Sequence, residues 1–407
     1  MRIAFFTDVF PRLSNTFIIN QATGLIDLGH ELDIYAPGVG DFGRAHEVVG
    51  EYDLAGRMRH IPIPESKGRR LLTAARHLAG RGSWNRGTLL ALNPLLQGRE
   101  ALSLGPLYGA LSLNNAPRYD AIHVQFAKLG RLVVPLARAR GLDEPVLVAV
   151  RGADLTRHVS RNPARYREML ASTDMFLPVS ESLKALLQDL GVPAERIRVH
   201  HSGIQVQKFA FTPRQPAPDG TVQLLFIGRL TEKKGVRYLL EALANLDQRV
   251  LLTILGDGEE RSGLEELAGR LGVAGRVTWR GSVPQEEVLR ELVAAHILVA
   301  PSVTAADGDQ EGIPNVLKEA MATGMPVVST WHSGVPELVE DGVSGLLAAE
   351  RDSVDLARKL QELIDRPERW AAMGAAGREV VSQRFDSDRL NRELAKLYEE
   401  LSSRRRR

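Results

Sequence analysis

Apolar positions along the chain gather in short continuous runs rather than in strict alternation. They occur at residues 3–6, 32–35, 121–124, 146–150 and 175–179, and again at 224–227, 251–255, 277–279, 297–300 and 327–329. Runs of this length, bounded by glycine, proline and polar residues, predict strands buried on both faces. Between them lie stretches with helical periodicity, such as residues 17–28 and 182–190. Strand and helix alternate throughout, so the pattern predicts an α/β architecture of parallel sheets covered by helices, in two halves. Phe211-Thr212-Pro213-Arg214-Gln215-Pro216-Ala217-Pro218-Asp219-Gly220 interrupts it and reads as the linker between the halves.

Length and composition agree with two halves. A chain of 407 residues is too long for one core and predicts roughly two to three domains at about 150 residues each. Hydrophobic residues at 44% and charged residues at 25% are ordinary for a soluble enzyme. Apolar runs stay far below the roughly 18 residues of a membrane span. Met1-Arg2-Ile3-Ala4-Phe5-Phe6 enters a strand directly instead of a signal peptide. The absence of cysteine removes disulfides, thiol catalysis and zinc-thiolate sites, and fits a cytosolic protein.

Charge changes the picture in one place. Net charge is +2, but the first 200 residues carry 25 Lys and Arg against 19 Asp and Glu. The surplus concentrates in Lys67, Arg69, Arg70, Arg76, Arg81, Arg86 and Arg99, interleaved with Leu71, Leu72, Leu78, Trp84, Leu89 and Leu90. Such a segment either lies on an anionic membrane surface or is a solvated helix packed on its own domain. Arg404 to Arg407 read as a disordered tail. Without zinc-finger spacing or an aromatic-rich RNA-binding motif, and with 5% aromatic residues, nucleic acid is not an expected partner.

Two motifs carry chemistry. Gly228-Arg229-Leu230-Thr231-Glu232-Lys233-Lys234-Gly235 follows the apolar run 224–227, so a buried strand ends in a glycine that admits a ligand close to the backbone. Arg229 and Lys234 then stand where they can neutralise a diphosphate without a metal. In Gly308-Asp309-Gln310-Glu311-Gly312-Ile313-Pro314-Asn315-Val316-Leu317-Lys318-Glu319, Gly312 and Pro314 suit a turn and helix start. The predicted helix runs from Asn315 to Thr323, and Gly324 stops it. Free amides at that start form an anion site. Glu319 lies deeper, roughly 10 Å from Glu311 at about 1.5 Å rise per residue. That span suits one elongated ligand with a sugar at one end, a ribose at the other and phosphates between.

Two further patterns are weaker. Gly38-Val39-Gly40-Asp41-Phe42-Gly43 spells a dinucleotide-type glycine pattern, but Arg44-Ala45-His46 does not start a helix, which makes a dehydrogenase improbable. Asp307-Gly308-Asp309 looks like paired metal-binding aspartates. Arg229 and Lys234 already cover the phosphates, so a capping or sugar-contact loop is the favoured reading over magnesium.

On these motifs the chain resembles the retaining glycosyltransferase family 4, the group 1 glycosyl transferases. Gly308 to Pro314, with Phe10-Pro11 and Ser14-Asn15-Thr16-Phe17, looks like the exopolysaccharide and colanic-acid branch. The resemblance implies the GT-B fold: two Rossmann-like domains with parallel sheets facing across a cleft. They would span residues 1–205 on the acceptor side and 206–385 on the nucleotide-sugar side, with a last helix at about 386–407 packing back on the first. It implies Glu311, Arg229 and Lys234 as the catalytic set. Glu311 would lie near the donor sugar's hydroxyls. The amides of Gly312, Ile313, Asn315, Val316 and Leu317, around Pro314, would hold sugar and distal phosphate. Gly228 would admit the phosphates, Glu319 would accept from the ribose, and backbone beside Arg280 would read the base.

On the acceptor side the resemblance implies Ser14, Asn15, Thr16, His123, Gln125, Arg151 and Asp154. Relatives commonly have histidine where Gln125 stands, and glutamine cannot shuttle a proton near neutral pH. Retention remains available, because the family's chemistry uses the leaving diphosphate to take the acceptor proton. His123 on a buried strand reads as a satisfied core residue. Arg151 and Asp154 form either a structural ion pair or an acceptor contact.

The expected protein is a metal-independent, retaining hexosyltransferase without resident cofactor. It would be cytoplasmic or peripheral on the inner face of the plasma membrane, using a nucleotide sugar and a glycan or lipid-linked acceptor. A small-molecule glycosyltransferase, a nucleotide-sugar epimerase or hydrolase, and an inactive donor-binding partner subunit stay open as alternatives.

Overall fold

The computed structural model describes residues 1–11, 16–42, 48–59, 64, 66–80, 84, 86–94, 98–114, 116–139 and 143–406. Ser14, Asn15, Gly43, Arg44, Ala45, His46, Arg81 and Arg407 lie outside them. The chain divides into two compact units: Met1–Pro178 with Lys184–His200 and Arg389–Arg407, and Val179–Leu183 with His201–Asp388.

The first unit is built on β1 (Arg2–Phe6), β2 (Glu31–Tyr35), β3 (Ala121–Val124), β4 (Val146–Val150) and β5 (Met175–Pro178). They form a parallel sheet in the order β2-β1-β3-β4-β5. Around it lie α1 (Thr16–Asp27), α2 (Lys67–Leu78), α3 (Gly105–Asn114) and α4 (Ala127–Ala139). The strands are apolar on both faces, as the continuous runs predict, because helices take both sides of a parallel sheet. The final helix (Ser387–Arg406) adds Leu394, Leu397, Tyr398 and Leu401 to the core around Ile3, Phe5 and Leu25. Gly38–Val39 pairs with Val9–Phe10 in a short parallel ribbon, so the glycine pattern there is not a phosphate-binding turn.

In the second unit β6 (Val222–Ile227), β7 (Val250–Leu255), β8 (Val277–Gly281), β9 (Ile297–Ala300), β10 (Val327–Thr330) and β11 (Leu346–Ala348) form a parallel sheet. Its order is β8-β7-β6-β9-β10-β11. The helices that matter for the site are α5 (Val236–Ala244), α6 (Gln285–Ala294), α7 (Asn315–Ala322) and α8 (Trp370–Arg384). Along β6 the side chains alternate: Leu224 and Phe226 join the core of α5, and Leu225 joins the core of α7. Truncating Leu225 to alanine removes about 2–5 kcal/mol by the usual cost of a core cavity.

Sequence order reverses between β6 and β9, and in the first sheet between β1 and β3. Such switch points leave a crevice at the strands' carboxyl ends where α/β proteins bind ligands. Both chemical motifs of the second half leave its sheet there, one after β6 and one after β9.

The proline-rich segment 211–220 is not the linker that its composition predicts. It lies inside the second unit, and the chain crosses between units elsewhere, at 178/179, 183/184, 200/201 and 388/389. Arg214 holds it down: its buried guanidinium donates to the Ala295 carbonyl at 2.8 Å, to Thr323 Oγ1 at 3.1 Å and to the Leu292 carbonyl. These are carbonyls and a hydroxyl at the ends of α6 and α7, groups that a helix leaves without internal partners.

Candidate functional site

After β6 the chain passes Gly228 and Arg229 into a tight turn at Glu232–Lys234, and Gly235 then opens α5. Gly235 has φ +66°, and a Cβ there would stand 1.9 Å from the Pro301 carbonyl oxygen, so only glycine fits. The turn aims two lysines one way. Lys233 Nζ lies 3.2 Å from Glu311 Oε1 and 3.2 Å from Asp309, and Lys234 Nζ lies 3.3 Å from the same Glu311 oxygen. Burial pushes the Glu311 carboxyl up, but Lys234 and Lys233 outweigh it and hold the group down to about 2. Glu311 is therefore ionised throughout the neutral range. Arg229 is exposed: its carbonyl accepts the Thr231 N–H at 2.9 Å, and its guanidinium makes no hydrogen bond or ion pair with the described residues.

Sequence reasoning passed over Lys233, although the doubled lysine was its signal. It grouped Glu311 with Arg229 and Lys234 and expected it near the donor sugar's hydroxyls. In the structure Glu311 and Asp309 share the cations, and Asp309 also receives order from within its loop by donating its N–H to Asp307 Oδ1 at 3.0 Å. The Asp307–Asp309 pair is thus a loop brace whose second member faces a lysine.

Glu311 is held by its backbone as well. Its N–H donates to His332 Nε2 at 3.1 Å, and His332 Nδ1 bonds Glu350 Oε1 at 2.7 Å. The other Glu350 oxygen accepts the Thr304 N–H at 2.8 Å. A backbone N–H can only donate, so His332 accepts through Nε2 and carries its proton on Nδ1, toward Glu350. His332 is fully buried at the end of β10. Nothing in the sequence marked it.

Pro314 precedes α7, and no side chain caps the helix start, so the first-turn amides of Asn315, Val316 and Leu317 keep no intrahelical partner. Gly312 and Ile313 form the approach. Lys318, fully buried, donates to the Ser202 carbonyl at 2.6 Å and to Asn315 Oδ1 at 2.8 Å, which ties the first turn to a segment 116 positions upstream. The next residue, Glu319, is half-buried and its carboxylate has no partner among the described residues. Burial raises it to about 6, against the pull of Lys318.

The side chain of Arg280 is engaged with Glu287 and, at 3.5 Å, Glu291, both on α6. Its backbone sits in a bulge: Trp279 pairs with Ile254 and Gly281 with Leu255, which leaves Arg280 out of the ladder.

In the first unit a polar row follows β3. Arg151 Nη2 donates to Gln125 Oε1 at 2.9 Å, which turns the Gln125 Nε2 toward Gln21 Oε1 at 2.6 Å and His123 Nε2 at 3.4 Å. Because that amide nitrogen donates, His123 carries its proton on Nδ1, facing the Tyr398 hydroxyl at 2.5 Å. Burial, with His200 and Arg151 adding, holds His123 well below its usual range, so it is neutral. The guanidinium of Arg151 stacks 3.9 Å above the Phe17 ring. Asp154 accepts the Ala127 and Lys128 amides at 2.5 and 3.0 Å and so caps α4. Arg151 and Asp154 also attract each other electrostatically, and beside that attraction Asp154 serves as the helix cap. Thr16 opens α1.

Residues 208–380 match the family described as glycosyl transferases group 1, and residues 14–203 match the glycosyl transferase 4-like domain. The amylovoran biosynthesis glycosyltransferase AmsK of Erwinia amylovora is 34% identical across 99% of this chain and 100% of its own. WcaL of Escherichia coli K12, a glycosyltransferase assigned provisionally to colanic acid biosynthesis, is 34% identical across 98% of this chain and 100% of its own. Anabaena Alr3699/HepE, solved in complex with UDP, superposes with a TM-score of 0.72 at 20% identity, over 98% of this chain and 100% of that one. Two parallel sheets, each with a point where the strand order reverses, and an end-to-end match to AmsK lead to one assignment: the chain belongs to the group 1 glycosyl transferases and has the GT-B fold.

Proposed function

We propose that this glycosyltransferase is retaining and metal-independent, and moves a sugar from a nucleoside-diphosphate sugar to a lipid-linked glycan in exopolysaccharide assembly. The observation that carries the reading is the convergence of Lys233 and Lys234 on Glu311 beside the uncapped start of α7. Lys233 and Lys234 meet two carboxylates there, Arg229 on the same loop adds a third cation without touching them, and helix amides add further positive potential. A diphosphate supplies the missing negative charge. The bulged backbone at Arg280 offers an amide and a carbonyl to a base edge, and the unpartnered Glu319 offers an acceptor to ribose hydroxyls.

In the reaction the bond from the sugar's anomeric carbon to the diphosphate oxygen breaks, and its electron pair stays on that oxygen. Lys233, Lys234 and Arg229 face the charge that develops there, which favours the transition state over the ground state. The acceptor oxygen bonds the anomeric carbon on the same face and gives its proton to the departing diphosphate. Gln125 cannot take that proton, and His123 is fully buried and faces Tyr398 and Gln125. The amylovoran role of AmsK supports the polymer setting. A relative named GDP-mannose-dependent phosphatidylinositol monomannoside mannosyltransferase, from Mycobacterium tuberculosis and 30% identical over 65% of this chain, supports a lipid-borne acceptor.

The test has two arms. A thermal-shift screen of nucleoside diphosphates should show one base raising the melting temperature, since a ligand of the native state stabilises it by RT ln(1 + [L]/Kd). Transfer from the matching nucleotide sugar should then persist in EDTA with the anomeric configuration kept. Inverted product, or activity lost in EDTA and restored by magnesium or manganese, overturns the mechanism.

A further inference from the structure

At the carboxyl ends of β1 and β2 the first unit holds a cavity of about 80 Å3 that the polar row after β3 does not use. Phe6 and Tyr35 stand at the strand ends, Tyr108 on α3, and Leu129, Leu132 and Leu136 on α4. Its polar groups are already engaged. The Tyr35 hydroxyl bonds that of Tyr119 at 2.7 Å, and the Tyr108 hydroxyl donates to the Arg70 carbonyl at 3.0 Å. Arg59 pairs with Asp33 at 2.8 Å, and the Thr7 hydroxyl donates to Asp8 at 3.4 Å. A sugar ring placed here would have to compete for groups that these bonds already occupy, which leaves several of its hydroxyls poorly paired and is costly. An apolar guest meets no such cost.

Size narrows the guest further. An apolar cavity of roughly 150 Å3 accommodates benzene, so about half that volume takes the last few carbons of a chain. The surroundings say where such a chain comes from. Tyr108 ties the cavity wall to α2, whose Leu71 and Leu72 are 63% and 54% exposed beside Lys67 and Arg69, and Leu102, just before α3, is 83% exposed. Exposed leucines among cations suit an anionic membrane surface.

We propose that the cavity seats the apolar carrier chain of the acceptor, drawn from the membrane beside α2. The proposal rests on the lipid-linked acceptor reading above. Leu129 and Leu132 are only half-buried, so a larger ring at either fills the cavity with less strain on the core than one at Val133 would bring.

The experiment compares two acceptors with the same glycan, one on a polyprenyl diphosphate in detergent micelles and one on a methyl group. Leu129→Trp and Leu132→Trp should each raise KM for the polyprenyl acceptor about tenfold, and leave the methyl acceptor and nucleoside diphosphate affinity within about twofold. Equal change on both acceptors, or none, overturns the proposal. A second measurement needs no variant: a farnesyl diphosphate bearing a diazirine should label α3 or α4 peptides of the unaltered enzyme, and labelling confined elsewhere overturns it. Should the unaltered enzyme transfer to the methyl acceptor and never to the polyprenyl one, the lipid-linked reading itself fails, a result separate from the variants' behaviour.

Discussion

The Glu311 N–H rests on His332 Nε2 at 3.1 Å, so the residue whose carboxylate meets two lysines is fixed from its backbone side by a fully buried imidazole. The imidazole is fixed in turn by Glu350, at 2.7 Å. This chain links the loop after β9 to the ends of β10 and β11 and sets where the Glu311 carboxylate can stand.

Glu350→Gln tests that link. An amide can still accept from His332, but its NH2 then faces the Thr304 N–H, donor to donor. Turnover should fall roughly tenfold, about 1.4 kcal/mol at the transition state, with nucleoside diphosphate affinity near that of the unaltered enzyme. Steady-state assays beside calorimetric titrations decide it. A parallel loss of affinity and turnover would mean that the pair supports the whole site and not Glu311 in particular.

Glu311→Ala releases both lysines from a competing carboxylate. Nucleoside diphosphate should bind at least as tightly as before, while kcat and kcat/KM fall together. Lys233→Ala and Lys234→Ala should each weaken the nucleoside diphosphate by about 1.5–3 kcal/mol, the range for hydrogen bonds to charged groups. Isothermal titration of the three variants is sufficient, and weaker binding by Glu311→Ala would show that its carboxylate holds the ligand through the lysines.

Glu319 predicts a dependence on pH. Burial raises its folded value to about 6, above the ordinary 4.5, so the folded protein keeps this proton longer than the unfolded chain does. Its contribution to stability is therefore present at low pH and lost as pH rises through about 6. Glu319→Gln should be more stable than the unaltered protein at pH 8, by up to about 2 kcal/mol, and equal to it near pH 4. Denaturant titrations at the two pH values measure this. In the unaltered enzyme, nucleoside diphosphate affinity should rise through the same interval, because the ionised carboxylate is the better acceptor for ribose hydroxyls.

The basic segment predicts salt-sensitive binding to anionic vesicles. Arg70 is tied down, donating to the Pro64 carbonyl at 2.5 Å and the Ser103 carbonyl at 3.4 Å, so Lys67 and Arg69 are the cations to neutralise. Co-sedimentation should drop for Lys67→Ala with Arg69→Ala at low salt. It should drop for the unaltered protein at 1 M salt, where the Debye length is about 3 Å. Sedimentation indifferent to salt and to both substitutions would remove the membrane from the picture.

Local pattern carried much of this architecture. Continuous apolar runs gave away the strands of both sheets, and the glycine, proline and glutamate spacing located the turn after β6 and the start of α7. What pattern cannot carry is pairing between distant residues. His332 and Lys318 take their meaning from Glu311, Glu350 and Ser202, which the fold brings near and the sequence keeps apart. Composition also misled once: prolines at 213, 216 and 218 mark an absence of regular hydrogen bonding, and a segment without it can still be packed when an arginine such as Arg214 answers helix ends.

The bond between Tyr398 and His123 spans 275 positions of the chain. A ribosome finishes the second unit before it supplies the helix that completes the first. Through that interval the nascent first unit carries a buried imidazole without its hydroxyl and an apolar face without Leu394 and Leu397, and so remains a client for whatever guards unfinished proteins. Residues 389–406, made after the whole second unit, thus decide whether the first unit is ever sealed.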